Sequence, residues 1–204
     1  MRLFAVALLF VAQILSAQDM SLLDRLSERM SKSCLELDYS YSLRISGVNN
    51  IGQGRLQCQG YMWKMAGNGV EMYCDSSALW VVDPANKEVV IEPAEVGEKV
   101  QLQINPAVLF VHMKELFAVR ESRRLSQQGT TLYILEPKKK GNIDYFNVEI
   151  ADSDLSLRNA VISLSDGTLI KIEVSSMKLT PVRSVEDFRP RTVFDSSWIV
   201  TDLR

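Results

Sequence analysis

His112 is the only histidine in 204 residues, and Cys34, Cys58 and Cys74 are the only thiols. A nucleophile needs a base within hydrogen-bond reach, and no cysteine here sits in a pattern that supplies one. The chain has no G-x-S-x-G elbow, no P-loop, no dinucleotide fingerprint after a strand and no H-E-x-x-H. A single imidazole cannot complete a zinc site with three scattered thiols, and C-x-x-C is absent. Asp152 and Asp154 read as turn residues. His112 could be tested as a general base, but without a nucleophile a half-packed helix residue is the better reading. The expectation is a protein that is not an enzyme and needs no cofactor or metal. What its side chains offer instead is apolar surface.

The elements that carry this surface follow from periodicity. Ser21 can cap a helix over 20–32, with Leu22, Leu23, Leu26 and Met30 on one face. From Leu35 to Ile45 the period becomes two, and Gly47-Val48-Asn49-Asn50 reads as a turn. Between Gly54 and Pro93 five short strands follow one another, with Gly67-Asn68-Gly69 and Asp83-Pro84-Ala85-Asn86 as turns. Asn105 and Pro106 open a second helix over 106–118 that groups Leu109, Met113 and Leu116, with Phe110 and Phe117 beside them. Arg120 to Arg124 close that segment. Strands return at Leu132–Leu135, Ile143–Ile150, Leu157–Leu164 and Leu169–Val174, the last two joined by Ser165-Asp166-Gly167-Thr168. About ten strands in one sheet must curl. The predicted fold is mainly β: one curved antiparallel sheet, an open half-barrel, with both helices on its concave side.

Composition narrows the setting. Charged residues make up 24% of the chain and the net charge is -2, which does not suit nucleic acid. Lys138-Lys139-Lys140, between Pro137 and Gly141, is a solvated turn. Arg2, an apolar run from Leu3 to Leu15 and then Ser16-Ala17 read as a secretory leader over 1–17, leaving one domain over 18–204. The run is short of the roughly 20 residues that span a bilayer. Gln18 rather than cysteine would follow the cut, so no lipid anchor is expected. An exported compartment permits disulfides. Three cysteines leave at least one thiol unpaired, and their spacing does not say whether two of them join.

One pattern spans nearly all of 18–204. It runs through Gly54-x-Leu56, Asp75-x-x-x-Leu79-Trp80-x-x-Asp83-Pro84, Glu88-Val89, Asn105-Pro106 and Ser165-Asp166-Gly167-Thr168-Leu169. Asp187-Phe188, Val193-Phe194-Asp195 and Thr201-Asp202-Leu203-Arg204 complete it. It resembles the periplasmic outer-membrane lipoprotein carrier family (LolA-like). The resemblance implies a monomeric periplasmic chaperone that shields the acyl chains of lipoproteins. Such a carrier takes cargo from an inner-membrane releasing complex to an outer-membrane acceptor. The family's Arg-Pro pair after the second strand, whose arginine holds the lid, reads Gln59-Gly60-Tyr61 here, so that lock is not carried over. The alternative function is a lipid- or lipoprotein-sensing module of the envelope with the same cup, and an envelope hydrolase is a distant third. Trp63, Met65, Met72 and Trp80 of the meander are expected to face Leu109, Met113, Leu116 and Phe117 of the lid helix across an acyl cavity. Strand alternation does not say which sheet face is concave.

Overall fold

Alternating apolar residues from Cys34 to Ile45 form β1, the strand on which the whole sheet is hung. The computed structural model describes residues 20–45, 47–94 and 106–204. The leader read over 1–17 and the capping Asn105 lie outside the described residues. Helix α1 (Leu22–Ser31) starts where the Ser21 hydroxyl accepts from the Asp24 N–H at 3.1 Å, and it buries Leu23, Leu26 and Met30. The strands after β1 are β2 (Val48–Gln59), β3 (Met62–Gly67), β4 (Val70–Cys74), β5 (Ala78–Asp83) and β6 (Glu88–Pro93). Two short helices follow, α2 (Pro106–Val111) and α3 (Met113–Leu116). Then come β7 (Phe117–Leu125), β8 (Thr130–Pro137), β9 (Ile143–Ala151), β10 (Leu157–Leu164), β11 (Leu169–Thr180) and β12 (Ile199–Asp202).

All twelve strands lie in one sheet, in the order β12-β6-β5-β4-β3-β2-β1-β11-β10-β9-β8-β7. The ends of that order do not pair, so the sheet is open. From β1 to β6 and from β7 to β11 neighbours along the chain are antiparallel hairpin partners. β1 and β11 pair antiparallel to join the two runs, and β12 returns to pair with β6 in parallel. Three sequence expectations change. The helix expected over 106–118 is two turns broken at His112, and the backbone is already extended at Phe117. Arg120 to Arg124 therefore belong to the edge strand β7, where exposed charges keep an unpaired edge from recruiting other strands. Finally, Val48 to Asn50 are strand and only the bend at Gly47, with φ +84, is turn.

The inner face carries the helices. Leu35, Leu37, Leu56, Phe146, Val148, Ile150 and Ile162 share a core there with Leu26, Leu109, Phe110 and Met113. Phe146 packs against Phe110 and Phe117, with ring centroids 5.9 and 5.2 Å apart. Asp24 of α1 and Lys114 of α3 pair across the helices. The outer face has a smaller core of Ala78, Val82, Val89 and Ile91, covered by Phe194 and Trp198. Those two aromatics belong to a C-terminal strap that leaves β11, crosses the outer face and ends in β12.

Asp75 fixes this strap. Its carboxylate accepts from the Ser77 N–H, the Ser77 hydroxyl and the Ala78 N–H at 2.8 to 2.9 Å, which folds the turn between β4 and β5. It also accepts from Nε of the strap's Arg189 at 2.6 Å. Burial opposes the charge, but the bonds from Ala78, Arg189 and Ser77 outweigh it and hold the carboxyl at about 2. Because the folded value lies below the unfolded one, the unfolded chain binds the extra proton between them. The stabilisation is thus complete above pH ~4 and is lost as pH falls towards 2. Denaturant unfolding should show the natural protein losing roughly 2 kcal/mol more over this interval than Asp75→Asn. Identical acid slopes for the two proteins would refute the assignment.

Candidate functional site

Seven of the eight residues expected to line a cavity lie in or against the inner core. Cross-strand pairing sets Met65 opposite Met72 and Trp63 opposite Cys74, so these four point to one face. Leu109, Met113 and Phe117 reach the same core at 0, 1 and 3% exposure, with Leu116 half-buried against them. Trp80 does not join them. It pairs with Tyr73 and Ile91 and lies on the outer face, under the strap. Both faces of β5 are covered, Leu79 inward and Trp80 outward, so alternation alone could not choose between them.

The group divides again by closure. Trp63, Leu109, Met113 and Phe117 are sealed, whereas Met65 and Met72 border an open apolar cavity of about 480 Å³. Tyr39, Tyr41, Leu43 and Ile170 complete most of its wall, and Gln53, Asn68, Asp166 and Thr168 line it as polar members. None of these tyrosines, and neither Leu43 nor Ile170, belongs to the expected lining. A signal for them exists. Tyr39 and Tyr41 alternate on β1 and meet Gly54 and Gly52 on β2. A Cβ on Gly54 would come within 2.7 Å of the Tyr39 hydroxyl, and one on Gly52 within 2.6 Å of the Tyr41 ring. Tyr-x-Tyr opposite Gly-x-Gly thus lets the rings lie flat over the neighbouring strand, roofing one side of the cavity without filling it. Asn68, at the turn between β3 and β4, donates to the Tyr41 hydroxyl.

Of the titratable groups on the cavity wall, Asp166 is held ionised by the Thr168 N–H, while Tyr39 is held neutral. Burial, followed by the neighbouring Tyr41, pushes the Tyr39 phenol up to about 12. The three cysteines are all free and buried. Cys58 and Cys74 flank Trp63 across neighbouring strands. Burial pushes all three thiols up, so none is presented as a thiolate. Among the described residues no cluster of three or more His, Cys, Asp or Glu could hold a metal.

His112 fastens the short helices to the sheet. Its ring stacks on Tyr61 with centroids 4.3 Å apart. Nδ1 lies 2.8 Å from Glu115 Oε2, and Nε2 lies 3.2 Å from the Gly60 carbonyl oxygen in the turn between β2 and β3. Both ring nitrogens lie within hydrogen-bond reach of an acceptor oxygen. Burial, and then the Glu115 charge, raise the Tyr61 phenol. The lid is therefore held from its own side, by a histidine donating to the sheet turn. His112→Phe keeps the stack and removes both hydrogen bonds, and should cost roughly 1–3 kcal/mol in thermal unfolding. Glu115→Gln, which keeps an acceptor for Nδ1, should cost clearly less. Equal losses, or none, would mean that stacking alone holds the lid.

No protein-family model and no curated protein matches the chain. Solved structures do match in fold. An uncharacterized conserved protein from Thermus thermophilus superposes with a TM-score of 0.54 at 11% identity, covering 89% of this chain and 96% of that one. A LolA superfamily protein from Nitrosomonas europaea gives 0.44 at 9% identity, covering 84% of this chain and 99% of that one. A DUF1329 family protein from Desulfovibrio piger gives 0.44 at 11% identity, covering 82% and 94%. The likeness to the Thermus protein is one of fold: an open, curved β-sheet with few helices.

Proposed function

We propose that this chain is a periplasmic carrier that shields the acyl chains of lipoproteins between an inner-membrane releasing complex and an outer-membrane acceptor. In this reading residues 1–17 are an export leader and 18–204 are one binding domain. The observation that carries it is the open apolar cavity on the inner face, bordered by Tyr41, Leu43, Met65, Met72 and Ile170. A single chain of about 16 carbons left in water costs roughly 12 kcal/mol at about 0.8 kcal/mol per CH₂. A carrier needs a concave apolar surface that also releases its load. Thioethers such as Met65 and Met72 repack readily, which suits both steps. The resemblance read from the sequence points the same way. Among the described residues no helix is long and apolar enough to cross a membrane.

Acyl contact is assigned to the open wall rather than to the sealed side chains. Met113 is 1% exposed, so a charge there would act on folding before it acted on binding. Met72, half-buried at the cavity, is the informative position. Binding of an N-palmitoylated fluorescent peptide should weaken at least tenfold in Met72→Glu. A glutamate placed on the outer face instead, Lys178→Glu, should leave it unchanged. An unacylated peptide binding as well as the palmitoylated one would sink the reading. Native mass spectrometry of protein taken from its own periplasm then separates a carrier from a sensor, since a carrier should retain acylated cargo.

A further inference from the structure

Strand β2 outruns one of its neighbours. β1 accompanies it from Val48 to Cys58, but β3 accompanies it only from Gly54, where Gly67 is the partner. From Val48 to Gln53 one edge of β2 has no strand beside it among the described residues, a length of about 20 Å at ~3.3 Å per residue. The result is a notch in the sheet, in line with β3 and closed at one end by Asn68 of the turn to β4.

The backbone along this notch is unsatisfied. A Cβ on Gly67 would come within 2.8 Å of the Gln53 carbonyl oxygen, so that oxygen points away from β1 and toward the line of β3. Pairing groups alternate along an antiparallel strand, so Ile51 and Asn49 each turn an N–H and a C=O the same way. None of the three makes a backbone hydrogen bond outside the β1–β2 ladder among the described residues. Nor is the edge defended. β7 carries exposed charges and a break in register at Arg120, whereas Val48 to Gln53 has no charged residue, no proline and an unbroken register.

Both sides of the notch are concave. The apolar cavity lies on the inner side, with Tyr41, Leu43 and Val70 in its wall. On the outer side a polar hollow of about 530 Å³ is lined in part by Ser40, Ser42, Lys171 and Glu173. Gln53 and Asn68 border both. A strand laid in the notch sends alternate side chains into the two hollows, apolar groups inward and polar groups outward.

We propose that the notch takes an extended polypeptide as an added strand on β2, namely the stretch of an acylated cargo that adjoins its acyl group. The proposal rests on the carrier reading: an acyl chain seated in the inner cavity leaves its polypeptide beside Gln53 and Asn68. Main-chain pairing supplies affinity without reading a sequence, which suits a carrier of varied cargo.

Fluorescence titration of the full chain tests this. The probes are N-palmitoylglycinamide, an N-palmitoyl hexapeptide of alternating threonine and serine, and the two forms of that hexapeptide N-methylated at every second amide. The hexapeptide should bind at least tenfold more tightly than the glycinamide. One methylated form should lose that gain and the other keep it, because only one edge of an added strand faces β2. Ile51→Pro removes a donor on the notch side, where an edge strand tolerates proline. It should lower hexapeptide affinity at least tenfold and leave the glycinamide unchanged. If it lowers the Tm, the two methylated forms on the natural protein decide. Glycinamide binding with no gain for the hexapeptide, or equal affinity of the methylated forms, overturns the proposal and leaves the carrier reading standing. No binding of either probe overturns both. A dimer that Ile51→Pro dissolves, with hexapeptide affinity unchanged, gives the notch to a second copy and also overturns the proposal.

Discussion

Covering one face of a sheet that never closes is the constraint from which the rest of the structure follows. Leu35, Leu37, Leu56, Phe146, Ile150 and Ile162 are at most 1% exposed, and that degree of burial needs a second layer. The layer is small. Helix α1 has ten residues, α2 six and α3 four, too few to cover the inner side of twelve strands. Where they reach, the core is sealed, as at Leu109 and Met113. Where they stop, Tyr41, Leu43, Met65 and Met72 have no roof among the described residues, and that remainder is the cavity. The same apolar term that closes the core, about 25 cal/mol per Å² removed from water, is left unsatisfied there and is available to an apolar guest.

The outer face solves its own covering problem differently. β5 is apolar on both sides and β6 on its outer side through Val89 and Ile91, and the strap from β11 to β12 supplies the missing layer with Phe194 and Trp198, stacked edge-on at 5.0 Å. Apart from one 3-10 turn at Val185–Phe188 the strap has little regular structure and few backbone bonds to hold it, so polar side chains help to do so. Arg189 reaches Asp75, Arg183 pairs with Glu36, and the Gln59 amide exchanges hydrogen bonds with the Arg183 backbone at 2.7 and 3.2 Å. The strap is therefore held by ion pairs as well as by Phe188, Phe194 and Trp198, and the helices mainly by apolar contact, with His112 and the Asp24–Lys114 pair as polar additions.

Much of this was legible in the sequence, and the failures share a cause. β1, the meander, the hairpin at Asp166-Gly167 and helix α1 all have a period that one face imposes, and local chemistry confirms it. The helix break at His112 has no periodic signal, because Leu109, Met113 and Leu116 keep helical spacing across it. The start of β7 at Phe117 was masked by Arg120 to Arg124, which look like a helix end but serve as edge-strand charges. Trp80 was placed on the wrong face because β5 is apolar on both. β12 is too short and too exposed to stand out, and its parallel partner lies more than a hundred residues earlier. The tyrosines of the cavity wall were in view as an alternation. Their role depended on recognising the glycines opposite them, which is a property of register and not of either strand alone.

The position of β1 in the sheet order has a consequence for how the chain folds. Every pairing from β1 to β6, and every one from β7 to β11, joins neighbours in sequence, so each half can assemble as a run of local hairpins. The halves meet along the seam between β1 and β11, where Cys34 faces Thr180 across 146 positions of chain. The loop-closure entropy of the whole domain is concentrated in that seam. Folding should therefore be limited by the docking of two preformed meanders rather than by any hairpin. The β12 edge, which pairs only with β6, should form after that strand is in place.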